Sequence, residues 1–301
     1  MVVLEVADIS KSFGKVQAVH SISFKVETGR IYGVLGPNGA GKTTTIRMIM
    51  NIILPDEGQI RLFDQSMNDS LKPRIGYLPE ERGLYTKMKV LDMLVFLGEL
   101  HEQSSAAAAA SARMWLKRLE LDSWENKKVE ELSKGMQQKV QFIATIMHQP
   151  DLIILDEPFS GMDPINTQMI KNIMLELKAN DRAIMFSTHL MEVAEKICDD
   201  ILLIDKGAKI LAGDLVNIKK QYGSNAIQLE YDGDARFLNS LTMIEKIDNY
   251  GNYVDIRLKK ENTAQQLLQA IVNKLEIRRF QTTESSLNDI FIEVVGSKSH
   301  V

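Results

Sequence analysis

Cysteine is nearly absent from this 301-residue sequence, and long uninterrupted hydrophobic runs are absent altogether. The single cysteine, Cys198, excludes an intramolecular disulfide framework and fits a reducing compartment. No apolar stretch approaches the roughly 18 residues that indicate a membrane span. Glu5 and Asp8 stand where a signal peptide would be basic or apolar. We therefore expect no direct membrane span and a cytoplasmic location, so that any work at a membrane is done peripherally, from its inner face.

An excess of positive charge is also missing. The formal net charge of -4 argues against a nucleic-acid partner, because phosphate recognition normally leaves a basic face or stripe. Hydrophobic residues make up 45% of the chain and charged residues 25%, which is ordinary for a soluble globular protein. The length of 301 residues favours one medium domain followed by a smaller one.

Residues 1–215 alternate β-rich runs with helical patterns, which is typical of an α/β domain. The segments Leu4–Ile9 and Val16–Val26 alternate polar and apolar residues, which predicts antiparallel strands with one face exposed to solvent. Continuous apolar runs predict buried central strands of a parallel sheet at Ile31–Gly36, Ile153–Leu155 and Ala183–Phe186.

Residues 84–149 have mainly helical patterns and predict a helical insert in this domain. The run SSAAAAASARMWLKRLEL lies within it, and alanine at this density favours a helix over a flexible linker. We expect Met114 and Trp115, which belong to this run, to pack in the core of the insert.

Residues 216–301 predict a small α+β domain, with the boundary marked by the turn residues Tyr222–Asn225. Helices are predicted after the first and third strands, the second of them at Ala264–Lys274, and a last helix at Ser286–Val294. The predicted strands are Ala226–Tyr231, Ile244–Ile247, Tyr253–Leu258 and Ile277–Thr282. This order is the β-α-β-β-α-β pattern of a ferredoxin-like unit, with a hairpin at residues 249–252.

The segment GPNGAGKT, residues 36–43, has the spacing of a loop that binds nucleotide phosphates, and it follows a predicted strand and opens a predicted helix. Its glycines let backbone N–H groups turn toward the phosphates, and Lys42 neutralises the β and γ oxygens. The Thr43 hydroxyl can hold Mg²⁺. The predicted nucleotide-binding residues of this region are Gly36, Pro37, Asn38, Gly39, Ala40, Gly41, Lys42, Thr43 and Thr44.

Acidic residues follow another predicted strand, in the segment DLIILDEP. Asp156 is expected to act on Mg²⁺, and Glu157 is a candidate to polarise the attacking water. His189 ends a further strand, where it could donate to the γ-phosphate or the water. Two acids or one histidine would most often be structural when taken alone. Combined with the phosphate loop and Lys42, they predict Mg-dependent nucleotide hydrolysis.

Two further motifs flank the acidic strand. The first motif precedes the strand by one helix and consists of Leu132, Ser133, Lys134, Gly135 and Met136. The second follows the strand and consists of Ser160, Gly161, Met162 and Asp163. This order resembles the ATP-binding cassette (ABC) proteins, in which a Leu-Ser-Gly-Gly-Gln-like signature lies in a helical insert and a Ser-x-x-Asp D-loop comes after the acidic strand. The resemblance covers about the first 215 residues and implies a P-loop NTPase cassette with an antiparallel β subdomain that binds and hydrolyses ATP with Mg²⁺.

The resemblance also implies a partner cassette. Two cassettes of this family bind head to tail, and each ATP lies between the phosphate loop of one and the signature of the other. Ser133 and the Gly135 backbone would then contact the γ-phosphate of a nucleotide held by the other subunit. Because this chain has one phosphate loop and one signature, a working pair needs a second cassette, either another copy or a paralogue.

Two more positions are implied by the resemblance. Phe13 occupies the place of the aromatic residue that stacks on adenine, although an isolated Phe in a β-rich stretch is also typical of a core. Glu80 occupies the Q-loop position, where the family usually has a glutamine that links Mg²⁺ to the transport partner. A carboxylate there could ligate the metal, yet it would repel phosphates without it. Lys134 and Met136 also depart from the signature, whereas Ser133 and Gly135 are intact.

The ending TTESSLNDIFIEVV resembles ATPase subunits of the sodium-export and drug-export type, which dock on separate membrane-spanning permeases. The resemblance implies an ATPase that powers transport, outward in direction. One alternative is a soluble regulatory cassette ATPase, and another is a module in which ATP only controls dimerisation. A small GTPase is disfavoured because the sequence lacks an Asn-Lys-x-Asp motif.

Overall fold

The computed structural model describes residues 1–81, 83–222, 226–259, 262–283 and 286–298. The chain forms two compact units, Met1–Gly213 and Asp214–Val301. Most of the turn that we predicted as the domain boundary, residues 223–225, lies outside the described residues. Within the described ranges, no helix has the length and apolar character needed to cross a bilayer.

The first unit combines strands and α-helices. Its strands are β1 (Val2–Phe13), β2 (Val16–Glu27), β3 (Ile31–Leu35), β4 (Glu57–Leu62), β5 (Gln65–Ser66), β6 (Ile75–Leu78), β7 (Leu152–Asp156), β8 (Ala183–Thr188), β9 (Asp200–Asp205) and β10 (Ala208–Asp214). Its α-helices are α1 (Lys42–Ile49), α2 (Val90–Leu100), α3 (Ser105–Arg118), α4 (Lys134–Ile146), α5 (Pro164–Ala179) and α6 (Met191–Ile197). Short 3-10 helices are formed by Asp69–Arg74, Asp122–Trp124 and Val129–Glu131.

These strands lie in one mixed sheet in the order β5-β4-β1-β2-β10-β9-β3-β8-β7-β6. β1 pairs antiparallel with β2 and β4, so the alternating segments near the start of the sequence are antiparallel strands, as predicted. The pairs β9–β3, β3–β8, β8–β7 and β7–β6 are parallel. The sheet and its crossover helices confirm the predicted α/β cassette with an antiparallel subdomain.

The predicted central strands are buried along their whole length. Every residue of β3, β7 and β8 is buried, which explains their continuous apolar sequence. The register places Leu35 beside Thr188 and Asp156 beside Ser187. Because parallel strands finish at the same edge of a sheet, the residues that follow these strands come together there.

The predicted helical insert contains α2, α3 and α4. Ala108, Ala112 and Trp115 on α3 are buried, and their spacing is that of one helix face. Met114 is 48% exposed, so the prediction that it packs in the core with Trp115 is wrong. The reason is helical geometry, since Met114 lies outside the stripe that those three residues form.

The second unit has the four strands and the second helix of the predicted ferredoxin-like order. Its elements are α7 (Leu215–Tyr222), β11 (Ala226–Asp232), β12 (Ile244–Asn249), β13 (Val254–Leu258), α8 (Ala264–Ile271), β14 (Glu276–Thr283) and α9 (Leu287–Lys298). The strands lie in the order β12-β13-β11-β14, and each neighbouring pair is antiparallel. A hairpin joins β12 to β13 at the predicted turn, where the Asn249 side chain accepts a hydrogen bond from the Gly251 N–H at 2.8 Å.

The helix predicted between the first two strands of this unit is wrong, since only a 3-10 helix, Arg236–Ser240, occurs there. The Asp234 carboxylate accepts a hydrogen bond from the Arg236 N–H at 3.0 Å and also pairs with its guanidinium. Such local side-chain bonds compete with helix formation, and Gly233, with a φ of 113°, breaks the chain direction just before them.

A substitution in α8 tests the core of the second unit. Ile271 is fully buried, whereas its neighbour Val272 is 52% exposed. We expect Ile271→Ala to lower the free energy of unfolding of this unit by about 2–5 kcal/mol, because it leaves a cavity among apolar side chains. Val272→Ala, the matched control, should change it by less than about 0.5 kcal/mol. Urea denaturation followed by circular dichroism measures both, and equal effects would contradict the described packing.

Candidate active site

The predicted phosphate loop joins the end of β3 to the start of α1. Gly36 and Gly41 have φ values of 153° and 107°, which side chains other than glycine rarely adopt. A Cβ atom on Gly36 would lie 2.2 Å from the Ile204 carbonyl oxygen, and one on Gly41 would lie 2.5 Å from that of Ala18. Both positions therefore require glycine, which lets the loop run close to neighbouring backbone.

Lys42 is the first residue of α1, and its side chain is buried. Its Nζ donates to the carbonyl oxygens of Gly36 at 2.9 Å and Pro37 at 3.1 Å. The same atom lies 3.4 Å from Glu157 Oε1. No described side chain caps the start of α1, and its first turn has no acidic residue. The N–H groups and the positive dipole end of this helix are therefore available to bind an anion.

A cavity of about 190 Å³ opens at this loop. It is lined by Ala18, Asn38, Gly39, Gly41, Lys42, Thr43, Thr44, Glu80 and Glu157. The structure thus brings together most of the predicted loop residues with Glu80 and Glu157, which are distant in sequence. Ala40 is buried beside the cavity, and its N–H donates to the Pro37 carbonyl at 3.2 Å, so these two residues shape the loop.

Asp156 ends β7 and is fully buried. Its Oδ1 accepts hydrogen bonds from Ser187 Oγ at 2.5 Å and Thr43 Oγ1 at 3.3 Å. Its Oδ2 is also buried and has no hydrogen-bond partner among the described residues. Burial raises the pKa of Asp156, and the nearby charges of Glu80 and Glu157 act in the same direction, while the two hydroxyl groups oppose the rise.

The surroundings of Asp156 fit a hard divalent cation. Glu80 Oε2 lies 3.4 Å from Thr43 Oγ1, so two carboxylates and one hydroxyl converge on the same place. Carboxylate and hydroxyl oxygens are the ligand type that Mg²⁺ takes beside nucleotide phosphates. A cation would also satisfy the unpartnered Oδ2 and offset the cost of burying the charge.

Glu157 lies between Lys42 and His189. Its two carboxylate oxygens are each 3.1 Å from His189 Nδ1, so the ring donates its Nδ1–H to the carboxylate. The Glu157 N–H donates to Ser187 Oγ at 3.0 Å, and its φ of 49° turns the chain sharply at the end of β7. The predicted base and histidine are therefore in direct contact, and the base also lies beside Lys42.

Sequence reasoning missed Ser187 and Ala18. Ser187 bridges the site, since its hydroxyl bonds both the Asp156 carboxylate and the Glu157 N–H. The segment FSTHL contained the signal, but recognising it requires knowing that β7 and β8 are neighbours with Asp156 opposite Ser187. Ala18, on β2, lines the cavity with its backbone close to Gly41, and nothing in its sequence context marks it.

Several predicted residues lie away from this cavity. Phe13 ends β1 and is 52% exposed, with Lys11 Nζ 5.8 Å from its ring centroid. Ser133 begins α4 and accepts a hydrogen bond from the Met136 N–H at 3.3 Å, and Asp163 caps α5 through the Ile165 and Asn166 N–H groups. None of the residues lining the cavity belongs to the predicted signature or D-loop, which are Leu132, Ser133, Lys134, Gly135, Met136, Ser160, Gly161, Met162 and Asp163.

A parallel sheet with a glycine-rich loop entering a helix, and two acids at the end of another of its strands, defines a P-loop nucleoside triphosphatase. Residues 19–160 match the ABC transporter family, and residues 213–295 match the C-terminal domain of DrrA1-3-like ATP-binding proteins. The chain belongs to the family of ABC transporter ATP-binding proteins, which bind ATP and hydrolyse it to power transport.

Individual relatives agree with this assignment. The ABC transporter ATP-binding protein YhaQ of Bacillus subtilis (strain 168) is 41% identical over 98% of this chain and 99% of its own length. Nod factor export ATP-binding protein I of Burkholderia lata is 32% identical over 81% of each chain. A solved structure of the ATP-binding subunit of an ABC transporter, 29% identical, has a TM-score of 0.69 and covers 73% of this chain and 93% of its own.

Ser187 offers a test of the described site geometry. Ser187→Ala removes the hydroxyl that holds both Asp156 and Glu157, so we expect ATP turnover to fall by at least about tenfold. The free energy of unfolding should fall by about 1–3 kcal/mol, because a buried N–H loses its acceptor. Phosphate release and urea denaturation measure the two effects. Ser240→Ala, which removes an exposed hydroxyl in the second unit, is the control and should leave turnover unchanged. Unchanged turnover in Ser187→Ala would contradict the bridging role of Ser187.

Proposed function

We propose that this chain hydrolyses ATP with Mg²⁺ at the cavity beside the phosphate loop, as one of two cassettes on a membrane-spanning permease. The observation that carries the proposal is the convergence of Lys42, Glu157 and Asp156 at the edge where three parallel strands end. Lys42 is assigned to the phosphates, and α1 adds its positive end. The exposed Phe13 ring is assigned to stack on adenine, as its position in the family implies.

The oxygen atoms of Thr43, Asp156 and Glu80 are assigned to Mg²⁺, because they converge and the second oxygen of Asp156 has no described partner. The cation supplies charge neutralisation to the β- and γ-phosphates. Glu157 is assigned to orient and polarise the attacking water. His189 contacts the Glu157 carboxylate directly, so its imidazole holds that side chain in place and can donate toward the γ-phosphate.

A second cassette completes the site in this proposal. Ser133 and the Gly135 backbone stand at the start of α4, outside the cavity of their own chain. Both fit a role at the nucleotide of a partner, where the N-terminus of α4 would face the γ-phosphate. The D-loop turn, from Ser160 to Asp163, is mainly exposed and would lie at the same interface. Two copies or a pair of paralogues satisfy this arrangement equally.

The direction and place of the transport are also proposed. A relative that this chain matches over 81% of each length is named for Nod factor export, and the second unit matches a DrrA-like C-terminal domain. These likenesses support outward transport by a subunit held peripherally at the inner face of the cell membrane. The alternative is a regulatory ABC ATPase that is not coupled to a permease.

Glu157→Gln tests hydrolysis and dimerisation together. The amide keeps the shape of the side chain but cannot act as a base, so we expect ATP binding to persist while turnover falls by at least about a hundredfold. ATP that remains bound should then hold two chains together as a dimer, which size-exclusion chromatography with light scattering detects. Lys42→Ala should instead lose ATP binding and stay monomeric. If Glu157→Gln turned over ATP as fast as the parent, Glu157 would have no part in the mechanism. Ser133→Arg, added to Glu157→Gln, should prevent the dimer. A dimer that still formed in this double variant would contradict the head-to-tail interface.

Purification from native membranes tests the transport role. A tag on this chain, gentle detergent extraction and identification of co-purifying proteins should yield an integral membrane protein in stoichiometric amount. Lys42→Ala serves as the control for nucleotide dependence of that association. Recovery only in the soluble fraction, without a membrane partner, would favour the regulatory alternative.

A further inference from the structure

The charges around the cavity are unbalanced. Among the described residues that line it, Lys42 is the single cationic side chain, whereas Glu80 and Glu157 are both carboxylates, and Asp156 lies directly behind Thr43. The Lys42 ammonium already donates to two carbonyl oxygens and lies 3.4 Å from Glu157. Among these described groups, one cation faces one of three carboxylates, and the other two have no cationic neighbour.

Glu80 and Asp156 are these other two carboxylates. Glu80 Oε2 and Asp156 Oδ1 lie 3.4 Å and 3.3 Å from the same atom, Thr43 Oγ1. A hydroxyl group has one hydrogen, so it can donate to only one of the two carboxylates at a time. Neither carboxylate forms an ion pair with a Lys, Arg or His among the described residues. Asp156 is fully buried and Glu80 is exposed, so an ionised group that approaches them meets one charge in a low-dielectric setting and one that solvent partly screens.

We propose that Glu80 makes nucleotide binding conditional on a divalent cation, so that this protein rejects metal-free ATP and accepts its metal complex. The proposal rests on the assignment of Thr43, Asp156 and Glu80 to Mg²⁺. A triphosphate without a metal brings three or four negative charges beside two carboxylates. A cation held between them reverses the sign of both interactions, because each carboxylate then faces a positive neighbour.

The contribution of Glu80 can be separated from that of Asp156 by its chemistry. Gln at this position would still offer an oxygen atom to a cation, but it would carry no charge and would not repel phosphate. For one unit charge about 6 Å away at an effective dielectric constant of about 40, which suits an exposed carboxylate, removing the repulsion changes affinity by about tenfold. Glu80 is therefore a specificity-determining residue for the charge state of the ligand, in addition to any part it has in holding the metal.

The test measures dissociation constants for ATP by isothermal titration calorimetry, once with excess EDTA and once with excess MgCl₂. Glu80→Gln should bind metal-free ATP about tenfold more tightly than the parent. Glu80→Asp retains the charge and should bind metal-free ATP as weakly as the parent. Glu81→Gln makes the same charge change one residue away, at an exposed side chain that does not line the cavity, and should also match the parent.

Three outcomes would overturn the proposal. Unchanged metal-free affinity in Glu80→Gln, with weaker binding only in MgCl₂, would make Glu80 a metal ligand and nothing more. An equal gain in Glu81→Gln would show a general charge effect instead of a site effect. Metal-free affinity in Glu80→Asp equal to that of Glu80→Gln would exclude charge as the cause. Failure of the parent to bind ATP even in MgCl₂ is a separate result, since it would count against the proposed ATP site itself.

Discussion

The site depends on the register between three parallel strands. β3, β8 and β7 are neighbours, with Leu35 beside Thr188 and Asp156 beside Ser187. This alignment lets one hydroxyl, that of Ser187, bind both the Asp156 carboxylate and the Glu157 N–H. A slip of one residue would turn each of these side chains to the other face of the sheet. All three strands are buried along their whole length, so the apolar core and the polar site at its edge are built on the same packing.

The polar groups gathered at this edge are held at a cost in stability. Lys42 and Glu157 are both more than nine-tenths buried and lie 3.4 Å apart, and removing two such charges from water offsets much of their mutual attraction. Asp156 adds a third buried charge, whose raised pKa shows that the protein disfavours its ionised form. This arrangement is poor as a source of fold stability. It fits a site whose charges are balanced by a ligand of high charge density.

Much of this could be predicted from the sequence, because local patterns determine it. The spacing of Gly36, Gly41 and Lys42 specifies a backbone conformation, and alternating or continuous apolar residues distinguish the outer strands from the central ones. The bridge made by Ser187 could not be predicted, since it depends on which of several strands lie side by side. Two predictions were wrong. Met114 was predicted to be buried but is exposed, because composition alone does not define which face of a helix is buried. An α-helix was predicted between β11 and β12, but Arg236–Ser240 is a 3-10 helix, because local side-chain hydrogen bonds compete with helix formation there.

The position of Glu80 connects the cavity to the helical insert. Glu80 follows β6, and the carbonyl oxygens of its neighbours Pro79 and Glu81 accept hydrogen bonds from Gln141 Nε2 at 3.3 and 3.5 Å. Gln141 lies on α4, and Ser133 is the N-cap of that helix. The backbone on both sides of Glu80 is therefore hydrogen-bonded to α4. Asp156 ends a strand of the buried sheet and Lys42 begins α1, whereas Glu80 is exposed in the segment after β6, so the charged group joins the sheet, the phosphate loop and the helical insert.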